Sequence, residues 1–101
     1  MILEVATLDV RPGQEAAFEA TFREAQTIFA GIDGYITHEL QRCIENPSRY
    51  LLLVTWATLE DHTVRLRGSP QYGDWKALLH HFYDPFPTVE HYHKAIVDAP
   101  S

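Results

Sequence analysis

The side chains best suited to chemistry near neutral pH are histidines. His62 follows a strongly apolar stretch and a helix-start signal, on the apolar side of a short helix, where an imidazole could take a phenolic proton. The plainer role for such a residue is a core histidine bonded to a backbone carbonyl. His38 alternates with Ile36 and Leu40 and so shares their face, which makes it a second candidate for proton chemistry in the same cavity. Arg42 lies on that parity too and could anchor a substrate oxygen, or snorkel to the sheet edge. Trp56, Tyr72, Trp75, Phe82 and Phe86 could stack a planar aromatic ligand, or fill a core. Half of the twelve aromatic residues fall between Tyr72 and Tyr92, which favours a pocket lined by rings.

Other chemistries find less support. His80-His81 and His91-Tyr92-His93 supply four imidazoles. The adjacent pair projects to different sides of a helix, however, and the ligand spacing of zinc sites is missing, so no metal is expected. Cys43 has no histidine fixed near it, and there is no Gly-x-Ser-x-Gly elbow for a nucleophile. Nor is there a glycine-rich phosphate loop, which argues against a nucleotide cofactor.

The elements that must position these residues are organised around Arg49 to Trp56, RYLLLVTW, with five apolar positions in a row from Tyr50 to Val54. A short run without polar alternation reads as a strand buried on both faces. Asn46-Pro47-Ser48 before it is turn chemistry, and Thr58 with Asp61 three residues later is a helix-start pair. Ile2 to Val10 also carries apolar residues on both parities, interrupted by Glu4, and ends at Arg11-Pro12-Gly13. Phe18, Phe22, Ala25 and Phe29 then recur at helical spacing, giving an amphipathic helix of about four turns that stops near Gly31. Tyr35 to Ile44 is the next strand, joined by a hairpin to the central one. Thr58 starts a short helix to about Arg67, with Leu59, His62 and Leu66 on its apolar side. Gly68 breaks it, and Ser69 and Pro70 start another that carries Trp75, Leu78, Leu79 and Phe82. Asp84-Pro85-Phe86-Pro87 ends that helix, and Thr88 to Val97 supplies a last strand.

The order βαββαβ is the ferredoxin-like arrangement: an α+β fold with a four-stranded antiparallel sheet, helices on one face, and the second helix broken in two. The other face is left bare although its strands are apolar there. A second copy of the sheet is the simplest cover, and a homodimer is expected.

The 101 residues suit one domain, 1–101, large enough for a core and small enough to gain from a partner. An apolar fraction of 46% and a charged fraction of 22% are those of an ordinary globular protein. The net charge of −6, with Lys and Arg unclustered, argues against nucleic acid. No run is long enough to span a membrane, and the first residues lack the basic lead of a signal peptide. A single cysteine fits a reducing, cytoplasmic setting.

The opening strand closed by Arg11-Pro12-Gly13, the following amphipathic helix, Gly34-Tyr35 leading the second strand, and Tyr50 to Trp56 with His62 six residues beyond and Ser69-Pro70 after it together resemble the antibiotic biosynthesis monooxygenase (ABM) family. The resemblance covers nearly the whole chain, by size, order and a few side chains. It implies a dimeric α+β barrel that oxygenates electron-rich aromatics, such as quinols and anthrones, without metal, haem or flavin. A haem-degrading branch has an Asn in the first strand and a Trp and a His in the second helical region. Here the first strand has no Asn, and Val64 and Trp75 stand at the corresponding helical positions, which argues against haem degradation.

The reading that follows is a cofactor-independent monooxygenase for a hydroxylated aromatic or quinol. His62 would take the proton, His38 or Arg42 would orient the oxygen substituent, and Trp56, Tyr72, Trp75 and Phe82 would hold the ring. The alternatives are a non-catalytic, small-molecule-binding or stress-associated homodimeric barrel, and a barrel with a filled interior.

Overall fold

The computed structural model describes residues 1–100. Its elements follow the expected order: strand β1 (Ile2–Asp9), helix α1 (Glu15–Ala25), β2 (Tyr35–Arg42), β3 (Arg49–Trp56), a π-helical segment (Asp61–Leu66), α2 (Pro70–Leu79) and β4 (Thr88–His93). The sheet runs β2-β3-β1-β4, and every neighbouring pair is antiparallel. This is the ferredoxin-like α+β fold, with the second helical region broken at Gly68.

The alternation of burial along β1 and β3 explains the apolar character of both parities. Ala6, Leu8, Tyr50, Leu52, Val54 and Trp56 are buried under the helices. Leu3, Val5, Leu51 and Leu53 fall on the opposite face and are only half-buried. The core is closed by Phe18, Phe22, Ala25 and Phe29 from the first helical region and by Leu66, Trp75, Leu79 and Phe82 from the second. Phe18 is a hub, with its ring against those of Phe22, Tyr50, Phe82 and Tyr83.

Local chemistry sets the boundaries, and several differ from the sequence expectation. The first helix is α-helical only to Ala25 and tightens into 3₁₀ geometry over Gln26–Gly31, which still delivers Phe29 to the core. Strand β2 stops at Arg42 because Asn46 organises a turn, accepting from the Ser48 amide at its side chain and from the Arg49 amide at its backbone. Ile44 is left 91% exposed. A register shift between Tyr35 and Thr37 places Tyr35 against the core beside His38 and leaves Ile36 exposed, the reverse of strict alternation. Thr58 and Asp61 make the expected reciprocal cap, but the segment that follows is π-helical and Leu59 is exposed. Strand β4 ends at His93, with Ile96 and Val97 exposed beyond it. Ser69 caps α2 through Oγ, which accepts from the Tyr72 amide, with Pro70 in the first turn.

Candidate functional site

The candidate residues divide among three places. The first is the interior. Trp56, Trp75 and Phe82 are buried core side chains, with Trp75 packed on Phe22 and Phe29.

Below Trp56 lies a polar cluster that the apolar alternation of β1 hides. Glu4 sits on the core-facing parity, paired across the sheet with Val54 on one side and His91 on the other. It is 6% exposed, and its Oε1 accepts from the Trp56 indole N–H at 2.9 Å. His62, from the π-helical segment, stacks on the Trp56 ring and is 4% exposed. Its Nε2 stands 3.3 Å from Glu4 Oε1, and its Nδ1 is hydrogen-bonded to Nε2 of His91 at 2.8 Å. Burial raises the Glu4 pKa, against the pull of the Trp56 hydrogen bond and of Arg67. Burial, then Arg67 and His91, lowers that of His62. His62 is therefore a neutral imidazole at neutral pH, beside a carboxyl group whose uncharged form burial favours. Against an ionised Glu4, which offers only acceptors, the ring proton of His62 belongs on Nε2 and Nδ1 accepts from His91.

The second place is a cleft of about 350 Å³ between α1 and β2, lined by Glu19, Phe22, Gln26, His38, Leu40, Arg42 and Tyr50. Both ring nitrogens of His38 are engaged there. Nδ1 accepts from the Tyr35 hydroxyl, and Nε2 faces Gln26 Oε1 at 2.9 Å. Burial lowers its pKa as well. Arg42 donates from Nε to the Pro47 carbonyl at 2.6 Å and reaches Glu19 at 3.5 Å, over the Tyr50 ring. Its fork is thus committed to the protein.

The third place is a cleft of about 400 Å³ between the β1–β4 side of the sheet and the second helical region. Ala6, Leu8 and Val89 make its floor, Tyr72, His80, Tyr83, Phe86 and Pro87 its walls, and Arg67 its charged end. The wall is held to the sheet where Val10 bridges Tyr83, the Asp84 amide donates to Asp9 O at 2.9 Å, and the Arg11 amide donates to Phe82 O at 2.8 Å. The His80 ring sits among three others: Phe86 edge-on at 5.2 Å, Tyr83 at 6.0 Å and Tyr72 at 6.4 Å. Burial, helped by Lys76, lowers the His80 pKa, so it offers a neutral imidazole. Among the described residues Arg67 has no hydrogen-bonded or ion-paired side chain, yet its charge reaches Glu4, His62 and His91.

The structure therefore does not gather the expected site residues into one pocket. Tyr72 lines the third cleft, His38 and Arg42 the second, and His62 is enclosed behind Trp56. Sequence reasoning passed over Arg67 and Tyr83, read Glu4 only as an interruption of the first strand, and weighed His80 and His91 only as metal ligands. One signal was available for Glu4: a carboxylate on the core parity of a central strand requires a buried partner. Among the described residues, no three His, Cys, Asp or Glu side chains are grouped to hold a metal ion, and no helix is long and apolar enough to cross a membrane.

Comparison with known proteins assigns the family. Residues 1–78 match the family described as antibiotic biosynthesis monooxygenase. Protein YczJ of Bacillus subtilis, itself uncharacterised, is 56% identical over 92 residues, which are 91% of this chain and 97% of YczJ. A Bordetella bronchiseptica protein named for the same family superposes with a TM-score of 0.90 at 37% identity, over 94% of this chain and 97% of that one. SnoaB of Streptomyces nogalater, a cofactor-independent oxygenase crystallised in mutant form, shares the fold with a TM-score of 0.76 at 23% identity, over 99% of this chain and 97% of that one. With its ferredoxin-like sheet, its aromatic cleft and these matches along most of its length, the chain belongs to the antibiotic biosynthesis monooxygenase family.

Proposed function

We propose that the protein is a cofactor-independent monooxygenase for a hydroxylated aromatic, such as a quinol, bound in the cleft between the sheet and the second helical region. The observation that carries this reading is the cleft itself: ring walls, an apolar floor and one guanidinium without a side-chain partner among the described residues. A flat aromatic fits between Tyr72, Tyr83 and Phe86, with one oxygen toward His80 and another toward Arg67. A phenol is a poor electron donor and its phenolate a good one. A site that favours the ionised form therefore prepares the ring to pass an electron to O2. Arg67 supplies that preference by pairing with the developing oxyanion. His80 accepts a hydrogen bond and orients the ring. His38 and Arg42 line a different cleft, so in this scheme they take no part in holding the substrate oxygen.

The bare sheet face completes the proposal. Leu3, Val5, Leu51 and Leu53 form an apolar strip on the face opposite the helices, and a second copy packed sheet to sheet would bury it. Such a homodimer leaves both clefts on the outer, helical sides. A single cysteine fits work in the cytoplasm.

Oxygen uptake with a panel of quinols, before and after exhaustive chelation, tests the reading. Uptake that survives chelation and falls about a hundredfold in Arg67→Ala is expected, the usual size of loss for an oxyanion-stabilising group. Tight binding of quinols with no oxygen uptake would instead make the protein a small-molecule-binding member of the family.

A further inference from the structure

We infer that Glu4, His62 and His91 form a proton relay that carries the hydroxyl proton of the bound aromatic from the Arg67 end of the cleft to the buried Glu4 carboxylate. This rests on the cleft reading above and adds where the proton goes.

The geometry places the three groups in line. Glu4 and Ala6 alternate on one face of β1, and His91 and Val89 on the same face of β4, so the relay begins one step along the sheet from the cleft floor. His91 is half-buried, His62 and Glu4 are buried, and the two links are 2.8 and 3.3 Å. The 3.3 Å contact between His62 Nε2 and Glu4 Oε1 is an ion-pair approach, which the bound substrate has to tighten into a hydrogen bond for the last transfer.

The transfer balances without any further reactant. The substrate O–H gives its proton to Nδ1 of His91, directly or through one water. His91 passes its Nε2 proton to Nδ1 of His62, and His62 passes its Nε2 proton to Glu4. Both histidines end neutral with their tautomers exchanged, Glu4 ends as the acid, and the substrate ends as the phenolate. The net change is one negative charge moved from a buried carboxylate to an oxygen beside Arg67.

Electrostatics favour this route over His80. Protonating His80 creates a cation among aromatic rings and near Lys76, in surroundings that already depress its pKa. Protonating Glu4 instead removes a buried charge, which its raised pKa shows to be costly to keep ionised. Arg67 serves both ends of the process: its charge is felt by Glu4 before transfer, and it faces the cleft where the phenolate forms. A simply structural cluster would also need satisfied buried polar groups, but it would not need a tautomer-competent chain leading to a half-exposed histidine.

The test uses 4-nitrophenol, whose ionised form is coloured and which O2 does not attack. The wild-type protein is expected to bind it and to lower its ionisation midpoint by about one pH unit or more, a tenfold change. Imidazole nitrogen NMR at fixed pH should show the His62 proton moving from Nε2 to Nδ1 on binding. In Glu4→Gln, which keeps Arg67 but has no carboxylate to take the proton, the probe should bind with a midpoint still lowered and leave the His62 tautomer unchanged. His91→Gln, which cuts the chain at its half-exposed end, should bind the probe as the wild type does but slow oxygen uptake with a reactive quinol by about a hundredfold, and decides the matter if Glu4→Gln does not fold. Tautomer exchange in Glu4→Gln, no exchange in the wild type, or undiminished oxygen uptake in His91→Gln overturns the relay and leaves the cleft reading standing. No binding to the wild type overturns the cleft reading and the relay with it.

Discussion

At the scale of single residues, the chain keeps a carboxylate and several imidazoles neutral or partly dehydrated inside a small fold. His62 illustrates the consequence for stability. Its folded pKa lies below the ordinary 6.5, so its contribution is fully present above that pH and is lost as pH falls through the histidine range. Glu4 works the other way: its pKa is raised, so its contribution is full only below 4.5 and is lost as pH rises through the folded value. Between about pH 6.5 and 5, His62 lowers stability as pH falls by up to about 1.4 kcal/mol per pH unit, and Glu4 opposes it. Denaturant midpoints measured across that window should fall with pH, and the fall should be smaller in His62→Gln. An equal slope in the two proteins would mean that His62 is charged in the native state.

The same residues mark the limit of sequence reasoning about the site. The importance of His62 was legible from its place after a capping pair and an apolar strand. Its partners were not, because Glu4 and His91 meet it only through strand register and a π-helical turn that no periodicity announces. Ring stacking at Trp56, Trp75 and Phe82 was equally consistent with ligand and core, and burial places all three in the core. Of the five aromatic residues expected to stack a ligand, Tyr72 and Phe86 line the aromatic cleft.

At the scale of elements, the joint between β2 and the π-helical segment is tightly constrained. Gly34 has φ of +88°, and its Cα lies against the buried Asp61 carboxylate, where a Cβ would overlap it. The same carboxylate accepts from the Thr58 amide and hydroxyl at 2.9 and 3.0 Å and meets Arg65 at 3.2 Å. The Ala57 amide donates to Gly34 O at 2.7 Å, fastening the start of β2 to the end of β3. Gly34→Ala is therefore expected to cost at least about 2 kcal/mol, read as a lower denaturant midpoint with an unchanged slope, because both the backbone conformation and the Asp61 contact resist a side chain. A loss below about 0.5 kcal/mol would show that the joint can relax. Element order, the hairpin and the α2 cap were readable because each has its own turn or capping chemistry. The early ends of β2 and β4 and the bulge at Tyr35 were not, since they depend on pairing with strands distant in sequence.

At the scale of the whole molecule, one layer of helices covers one face of the sheet, and the second face awaits a cover. Leu53→Glu, at the centre of that face, should turn the proposed homodimer into a monomer in sedimentation or native mass measurements while leaving the helical side folded. A wild-type protein that is already monomeric at micromolar concentration would remove the sheet-to-sheet pairing. The central claim concerns chemistry in the cleft, and isotope-labelled O2 tests it most directly. Metal-stripped protein, a reactive quinol and labelled O2 should yield a product carrying one labelled oxygen atom, at a rate that collapses in Arg67→Ala. Product without label, or turnover that returns only when a metal or flavin is added, would contradict the account.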